Sequence, residues 1–579
     1  MVDPLYTVIP VVRQALAQVT GLAADEIDPA VRPSDRADGQ ANGALAVAKK
    51  IGRSPRDVAE AVVASGALNA TCQTVEVAGP GFINFNFRAE VLAAALVDSI
   101  HDVRLGVRPD PNPVRAVVDY SAPNVAKEMH AGHLRSTVIG DALVRLLTFL
   151  GYDVVRENHI GDWGTPFGML IEHLIDVGGV HGAADLDVGD LNAFYQAARV
   201  KFDGDDAFKE RARKRVTLLQ SRADSETMQL WKILVGQSLA HFNDLYGKLG
   251  VLLTDDDVAG ESMYQPLMTE VLERLDTAGL LETSDGANVV FVPGYNNRAG
   301  DPLPLIVQAR TGGFNYATSD LACIIDRVER VGASLLVYVV GSPQIQHLAM
   351  VYKVAEMAGF LTPPRRAVHV NFGSVLGDDR KMLRSRSGDP VTFIELVNEA
   401  IERGRAAVAE RSPDLGGDEL DRLGRSIGIG ALKYAELSTD RIKDYVFDWE
   451  RMLAFEGNTG PYLQYAHARI CSIFRRGEID REAVAGFAPL IVAPAERDLA
   501  LQLLQFDSAV HDTLDKLSPH RLCTYLFELA QTFTAFYEDC PVLRAEGDVR
   551  DSRLFLCEMT ARVMHRGLDL LGIDAPERM

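Results

Sequence analysis

The sequence predicts an α/β multidomain protein, with a doubly wound parallel sheet at its centre, a small α+β domain before it and an all-α bundle after it. Three observations carry this. Apolar runs of strand length alternate with helical patterns from Val114 to about Pro390. A proline-rich join, Arg108-Pro109-Asp110-Pro111-Asn112-Pro113, stands before them, and strand signals vanish after about Gly416. At 579 residues the chain is long enough for three or four domains of about 150 residues each. The expected units are 1–110, 114–390 with a helical insertion at about 176–254, and 391–579.

In the first unit, Ala44–Lys50 and Pro55–Ser65 read as short helices. Thr74–Ala78 and Phe82–Phe87 read as strands joined by a Gly-Pro-Gly turn, the second with strict alternation. The central unit offers strands at Val114–Tyr120, Asp153–Asn158, Val289–Val292, Leu303–Gln308, Leu335–Val340 and Ala367–Phe372. Between Asp176 and Thr254 the pattern is almost wholly helical. Leu420–Leu437, Pro461–Arg475, Pro494–Lys516 and Arg521–Asp539 are long and amphipathic, as a bundle requires.

Composition narrows the class. Hydrophobic content of 47% and charged content of 24% are those of a soluble globular protein. No apolar run reaches the roughly 20 residues of a membrane span, and the first residues lack a basic start and a cleavage site. Six scattered cysteines with no CxxC pair fit reduced thiols in a cytoplasmic protein and offer no zinc spacing, so no protein-held metal is expected. The net charge of −21 weighs against indiscriminate nucleic-acid binding. Local basic clusters at Lys209–Arg215, Arg380–Arg386 and Arg469–Arg476 leave room for one specific RNA.

The chemistry is concentrated in residues 121–137, SAPNVAKEMHAGHLRST. They lie between an apolar strand and a helical pattern at Leu134–Leu150. His130 and His133 therefore stand at a helix N-terminus, where backbone N–H groups and the dipole favour phosphate. Gly132 lets a base or ribose approach the backbone. A second basic loop, Gly373–Gly388 (GSVLGDDRKMLRSRSG), follows the apolar run Val368–Phe372.

These words, with ENHIGDWGTPFG, VAGPGFINF and GNTGPYLQYAHAR, resemble the arginyl-tRNA synthetase family of class I aminoacyl-tRNA synthetases along most of the chain. The resemblance implies a Rossmann-like core, an HxGH signature at His130, Gly132 and His133, and a degenerate KMSKS loop at Lys381-Met382-Leu383-Arg384-Ser385. It also implies that Lys127 makes good the missing second lysine of that loop, where Arg384 is not an equivalent cation. Catalytic roles then fall to His130, His133, Lys127, Lys381 and Arg384, and ATP contacts to His130, Gly132, His133, Lys381 and Met382. L-Arginine would be held by Asn124, Glu261, Tyr316, Asp320 and Gln344. Tyr316 as a core aromatic and Asp320 as the N-cap of a helix beginning at Leu321 are the competing structural roles. His159 stands between nucleotide contact and buried support. The first domain would touch the outer corner of tRNA(Arg) and the last its anticodon, through Tyr462, Gln464 and Arg469. Tyr462, Tyr465 and Arg469 share one helix face, the spacing of a core stripe as well as of an RNA platform.

The implied reaction is ATP-dependent ligation of arginine to tRNA, with Mg²⁺ accompanying ATP, by a monomer without an editing domain. A synthetase for another amino acid would have no use for Asp320 beside Tyr316. A catalytically silent tRNA-binding paralogue would not need His130, Gly132 and His133 intact. A small-molecule nucleotidyltransferase leaves both terminal domains unexplained.

Overall fold

The computed structural model describes residues 3–34, 36–179, 191–384 and 391–579. Four parallel strands form its central sheet, in the spatial order Arg366–His369, Leu335–Tyr338, Arg115–Asp119, Asp153–Glu157. Alternation along the strands sorts their side chains onto two faces. Ala116, Val118, Leu335 and Val337 share one apolar cluster with helix Ala131–Phe149. Val117, Leu336 and Tyr338 share another with helices Tyr316–Glu329 and Ile345–Met357. Helices thus cover both faces, the doubly wound arrangement that the alternation of elements predicts.

From Arg115–Asp119 the chain winds one way to Asp153–Glu157 and the other way to Leu335–Tyr338 and Arg366–His369. Ligands of such sheets bind at the strands' carboxyl ends, where the winding reverses. That crevice is closed below by a buried ion triad. Arg327, 1% exposed, reaches Asp119 at 2.8 Å and Glu157 at 2.7 Å. Two carboxylates around one guanidinium offset the desolvation that a single partner would leave uncompensated. Close packing places the first helix: a Cβ on Gly140 would stand 2.3 Å from Tyr120 Cβ, so only glycine lets this helix lie against the strand's end.

Two expected core strands belong elsewhere. Ala287–Asn296 and Pro302–Gln308 form a three-stranded antiparallel sheet with Glu282–Ser284. Five residues separate the two longer strands. A parallel crossover needs a dozen or more, so the pair can only be a hairpin. Among the described residues the expected insertion is helical, as Leu191–Gly204, Asp206–Ser221 and Ser225–Leu249; residues 180–190 lie outside the description.

The N-terminal unit pairs a four-stranded antiparallel sheet with helices Pro4–Thr20, Gly43–Ile51 and Pro55–Ala64. Helix Pro4–Thr20 and strand Ala37–Ala41 are additions to the sequence expectation; Pro10, inside the helix, obscures its period. This unit rests on the C-terminal bundle. Ser508 donates to Asp3 at 2.8 Å, Arg108 meets Asp507 at 2.8 Å, and Arg497 meets Asp38.

Helices dominate after Gly416, with two departures from expectation. The run Pro494–Lys516 divides into Pro494–Leu504 and Phe506–Asp515 at Gln505. Tyr445–Val446 is a two-residue strand pairing parallel with Val375–Leu376, so the bundle side holds the base of the second basic loop. No helix among the described residues is long and apolar enough to cross a membrane. All six cysteines are buried and unpaired.

Candidate active site

The strand Arg115–Asp119 delivers the chain to a loop with unusual backbone. Ser121, Ala122 and Ala126 have φ of 72°, 48° and 58°. Left-handed geometry at a residue carrying a Cβ costs roughly 1–2 kcal/mol each, so the surroundings must impose it. Part of that restraint is visible: Ser121 N donates to Ser136 Oγ at 3.0 Å and Ala122 N to Asn158 Oδ1 at 3.1 Å. The loop also pairs with the neighbouring segment, Val125 N to Gly161 O and Gly161 N to Pro123 O, each 3.0 Å. A Cβ on Gly161 would stand 2.3 Å from Asn124 Oδ1, so only glycine allows Asn124 to lie where it does.

His130 is the N-cap of helix Ala131–Phe149. Its Nδ1 accepts from Gly132 N at 3.1 Å, while His133 Nδ1 accepts from His130 N at 3.0 Å. The two rings lie 4.0 Å apart. With Nδ1 accepting on both, each neutral imidazole carries its proton on Nε2 and presents an N–H donor. Burial lowers the His130 pKa, and burial followed by the neighbouring ring pushes His133 down to about 3. At neutral pH the pair therefore acts through hydrogen bonds rather than charge. The cation of this loop is Lys127, exposed, with Nζ 5.1 Å from the Tyr195 ring centroid.

Beside Asn124 lies an acidic pocket. Asp162 accepts Ser262 N at 2.8 Å and Ser262 Oγ at 2.6 Å, which fixes the turn into the short helix Glu261–Tyr264. Glu261 is raised to about 7, first by burial; nearby His159 lowers it, and Asp162 and Asp320 raise it. His347 Nε2 lies 2.5 Å from Asp320 Oδ2, and this bond raises the His347 pKa. His159 packs against Tyr264 at 5.5 Å and stands 3.9 Å from Cys323 Sγ, so it belongs to the pocket wall. Three carboxyl groups thus gather with two imidazoles, a set of acceptors suited to a cationic ligand.

Both structural alternatives for the Tyr316–Asp320 segment fail. Helix Tyr316–Glu329 starts earlier than expected, with Asn315 as its N-cap, and Asp320 lies inside it. Tyr316 is 72% exposed, not a core aromatic, and stands four residues before Asp320 on the same helix face. Gln344 is exposed at the end of the 3₁₀ turn Ser342–Gln344, one turn before His347.

The second basic loop is a hairpin. Gly377 N donates to Lys381 O at 2.8 Å, Leu383 N to Val375 O at 3.1 Å, and Met382 bridges Leu376. Lys381, Met382 and Arg384 are exposed; Ser385 lies outside the described residues. Arg384 lines a cavity of about 1000 Å³ with Glu395, Glu399 and Glu402 of helix Phe393–Arg411. The chain then returns to the histidines: Thr392 bridges His130, and Phe393 N donates to Met129 O at 2.8 Å. Arg135, two residues after His133, ties the same regions from below. It donates to Gly373 O at 2.7 Å and Lys443 O at 3.0 Å and pairs with Glu436 at 3.3 Å, both side chains fully buried.

The family model for "tRNA synthetases class I (R), catalytic domain" matches residues 99–449, more than half of the chain. The chain belongs to the arginyl-tRNA synthetase family. The "Arginyl tRNA synthetase N terminal domain" matches residues 7–87 and the "DALR anticodon binding domain" residues 463–579. An arginine–tRNA ligase of Thermobifida fusca is 53% identical, with all of both chains covered. One from Salmonella dublin is 45% identical over 97% of this chain and 98% of its own. The Plasmodium falciparum arginyl-tRNA synthetase structure superposes with a TM-score of 0.86 at 27% identity, all of both chains covered. The Thermus thermophilus enzyme gives 0.81 at 25% identity, over 99% of this chain and all of its own.

In the anticodon-binding domain of this synthetase fold, the three expected RNA contacts separate. Gln464 is wholly buried, and its Nε2 donates to Ser426 O at 3.1 Å and Asp574 O at 2.9 Å. That amide joins the helix Gly460–Gly477 to its neighbours and has no face for RNA, which corrects the expectation. Tyr462 is half-buried against Phe527, ring centroids 5.7 Å apart. Arg469 is exposed and lies 5.2 Å from the Tyr537 ring. Asp162 and His347 are the pocket residues that sequence reasoning missed. The glycine–aspartate step after His159 was the available signal for the first; nothing marked the second.

Proposed function

We propose that the chain is an arginine–tRNA ligase that performs both steps of arginyl transfer at the carboxyl ends of the parallel strands. Glu261 and Asp320 receive the guanidinium of L-arginine, with Tyr316 and Gln344 at the rim and Asn124 holding the amino-acid end. The arginine carboxylate then attacks the α-phosphorus of ATP and expels pyrophosphate. The Nε2–H donors of His130 and His133 stabilise charge developing on phosphate, the largest contribution in reactions of this kind. Lys127, Lys381 and Arg384 share the pyrophosphate charge, while Gly132 and Met382 border the nucleoside. In the second step the 3′-terminal ribose hydroxyl of tRNA(Arg) attacks the acyl carbon and AMP leaves.

One observation carries this reading: the carboxylates of Glu261, Asp320 and Asp162 gather beside Asn124, on the same loop as the paired imidazoles. Bidentate recognition of a planar cation rejects uncharged amino acids without proofreading, because the wrong ligand leaves buried carboxylates unpaired.

Mg²⁺ enters with ATP. It is held mainly by substrate phosphates in such sites rather than by a protein cage. The unit 1–110 is assigned to the outer corner of tRNA, residues 114–390 to catalysis and 391–579 to a helical connection and the anticodon-binding domain; the working form is a cytoplasmic monomer. The silent tRNA-binding alternative has no support in full-length identity of 53% to an arginine–tRNA ligase.

The test is ATP–pyrophosphate exchange against a panel of amino acids, with and without tRNA. Exchange with arginine alone supports the reading. Tight tRNA binding without exchange for any amino acid would overturn it.

A further inference from the structure

The helical insertion touches the signature loop at the backbone positions that need support. Ala126, at φ 58°, donates its N–H to Ser238 Oγ at 3.0 Å. Ser238 is 1% exposed and donates in turn to Leu234 O at 2.9 Å, so its hydroxyl has both roles filled. Two turns on, the Tyr246 hydroxyl meets Ser121 Oγ at 2.7 Å and accepts from Asn158 Nδ2 at 3.1 Å. Asn158 itself accepts the N–H of Ala122, and Thr137 of the histidine-bearing helix meets Ser121 Oγ at 2.9 Å. Both hydroxyls come from one helix, Ser225–Leu249. From Leu191–Gly204 of the same insertion, Tyr195 places its ring beneath the Lys127 ammonium. All three left-handed residues, Ser121, Ala122 and Ala126, are therefore restrained directly or through Asn158 by two side chains outside the nucleotide fold.

We propose that Ser238 and Tyr246, with Tyr195, are positioning residues for adenylate formation, and that the insertion acts as a buttress for the loop carrying Asn124, Lys127 and His130. The inference rests on the site reading given above. A buried backbone N–H that loses its acceptor relaxes toward another conformation or toward water. At Ala126 that relaxation displaces Lys127, the next residue. At Ser121 and Asn158 it disturbs the segment where Asn124 pairs with Gly161. The two hydroxyls thus act on different substrates, Ser238 on the phosphate end and Tyr246 on the amino-acid end.

The experiment uses the full chain with arginine, ATP and tRNA, and measures exchange kinetics alongside the melting temperature. Ser238→Ala should lower kcat about tenfold, equivalent to about 1.4 kcal/mol of transition-state stabilisation. The KM for arginine should stay within about twofold. Ser238→Thr, which keeps the hydroxyl, should recover most of the rate. Tyr246→Phe is isosteric and should raise the KM for arginine about fivefold with little change in the KM for ATP. Kinetic constants unchanged in both variants, or a lowered melting temperature with unchanged kinetics, would make the hydroxyls merely structural and overturn the inference. If Ser238→Ala does not fold, Tyr246→Phe decides by the same criterion. A wild-type chain without arginine-dependent exchange removes the site reading and this inference together, whereas an active wild type with indifferent variants removes the inference alone.

Discussion

The two loops proposed to face phosphate are built by opposite means. In the signature loop both imidazoles are locked to backbone N–H groups, the helix behind them is packed against the sheet through Gly140, and strained residues are held from three sides. In the second loop a two-residue strand and two hairpin bonds hold the turn, Arg135 holds its base, and Lys381, Met382 and Arg384 all stand exposed. On the proposed reading the first loop is organised before ATP arrives, and the second presents cations whose geometry ATP completes. Preorganised donors act without reorganisation at the moment of reaction, so the first loop should carry the larger share of catalysis.

Substituting the two loops tests this ranking. His133→Ala removes a phosphate donor and the acceptor for His130 N, and should lower kcat for exchange about 10²- to 10³-fold. Arg384→Ala in the same assay should lose no more than about tenfold, since the charge of an exposed side chain is screened by water and salt. Comparable losses would break the distinction between a prebuilt and a ligand-completed half.

The pocket proposed for arginine belongs with the prebuilt half, and here the effect should be about 10²-fold. Asp320→Asn removes a charge from a guanidinium partner and leaves His347 without its carboxylate, so kcat/KM for arginine should fall about that much. Glu261 adds a pH signature. Only its ionised form pairs with guanidinium, and burial holds it at about 7. Between pH 6 and pH 8 the ionised fraction rises about tenfold, so kcat/KM for arginine should rise with it and then level. Glu261→Gln should flatten that rise. A wild-type profile already flat across this range would place Glu261 outside the pocket.

Legibility followed contiguity. Asn124, Lys127, Gly132 and both histidines stand in one unbroken word between a strand and a helix, so a linear reading finds them. The acidic pocket is drawn from three separate segments, Asp162 from a loop, Glu261 from a short helix and Asp320 from a long one. Spacing offers nothing to select these from 80 acidic residues, and only resemblance named two of them. The same limit misplaced strands. Ala287–Asn296 and Pro302–Gln308 have the apolar content of core strands, yet their partner direction was encoded in the brevity of the link. Gln464 shows the reverse error: a polar residue in a distinctive word, which the fold turned inward to join three segments. Burial is a property of the assembled bundle and leaves no local mark.

The smallest effect belongs to the exposed face proposed for RNA, where the contrast between buried and surface residues can be made quantitative. Arg469 lies in solvent over Tyr537, and Gln464, five residues earlier on the same helix, is wholly buried. Arg469→Ala should weaken tRNA binding a few-fold and lower the slope of log affinity against log salt by about one, the signature of one lost phosphate contact. Its melting temperature should not move. Gln464→Ala should do the opposite: the lost amide destabilises the bundle by about 1–3 kcal/mol, with the salt slope unchanged. A salt slope that shifts for Gln464 and not for Arg469 would reverse the assignment and place the RNA on another face of the bundle.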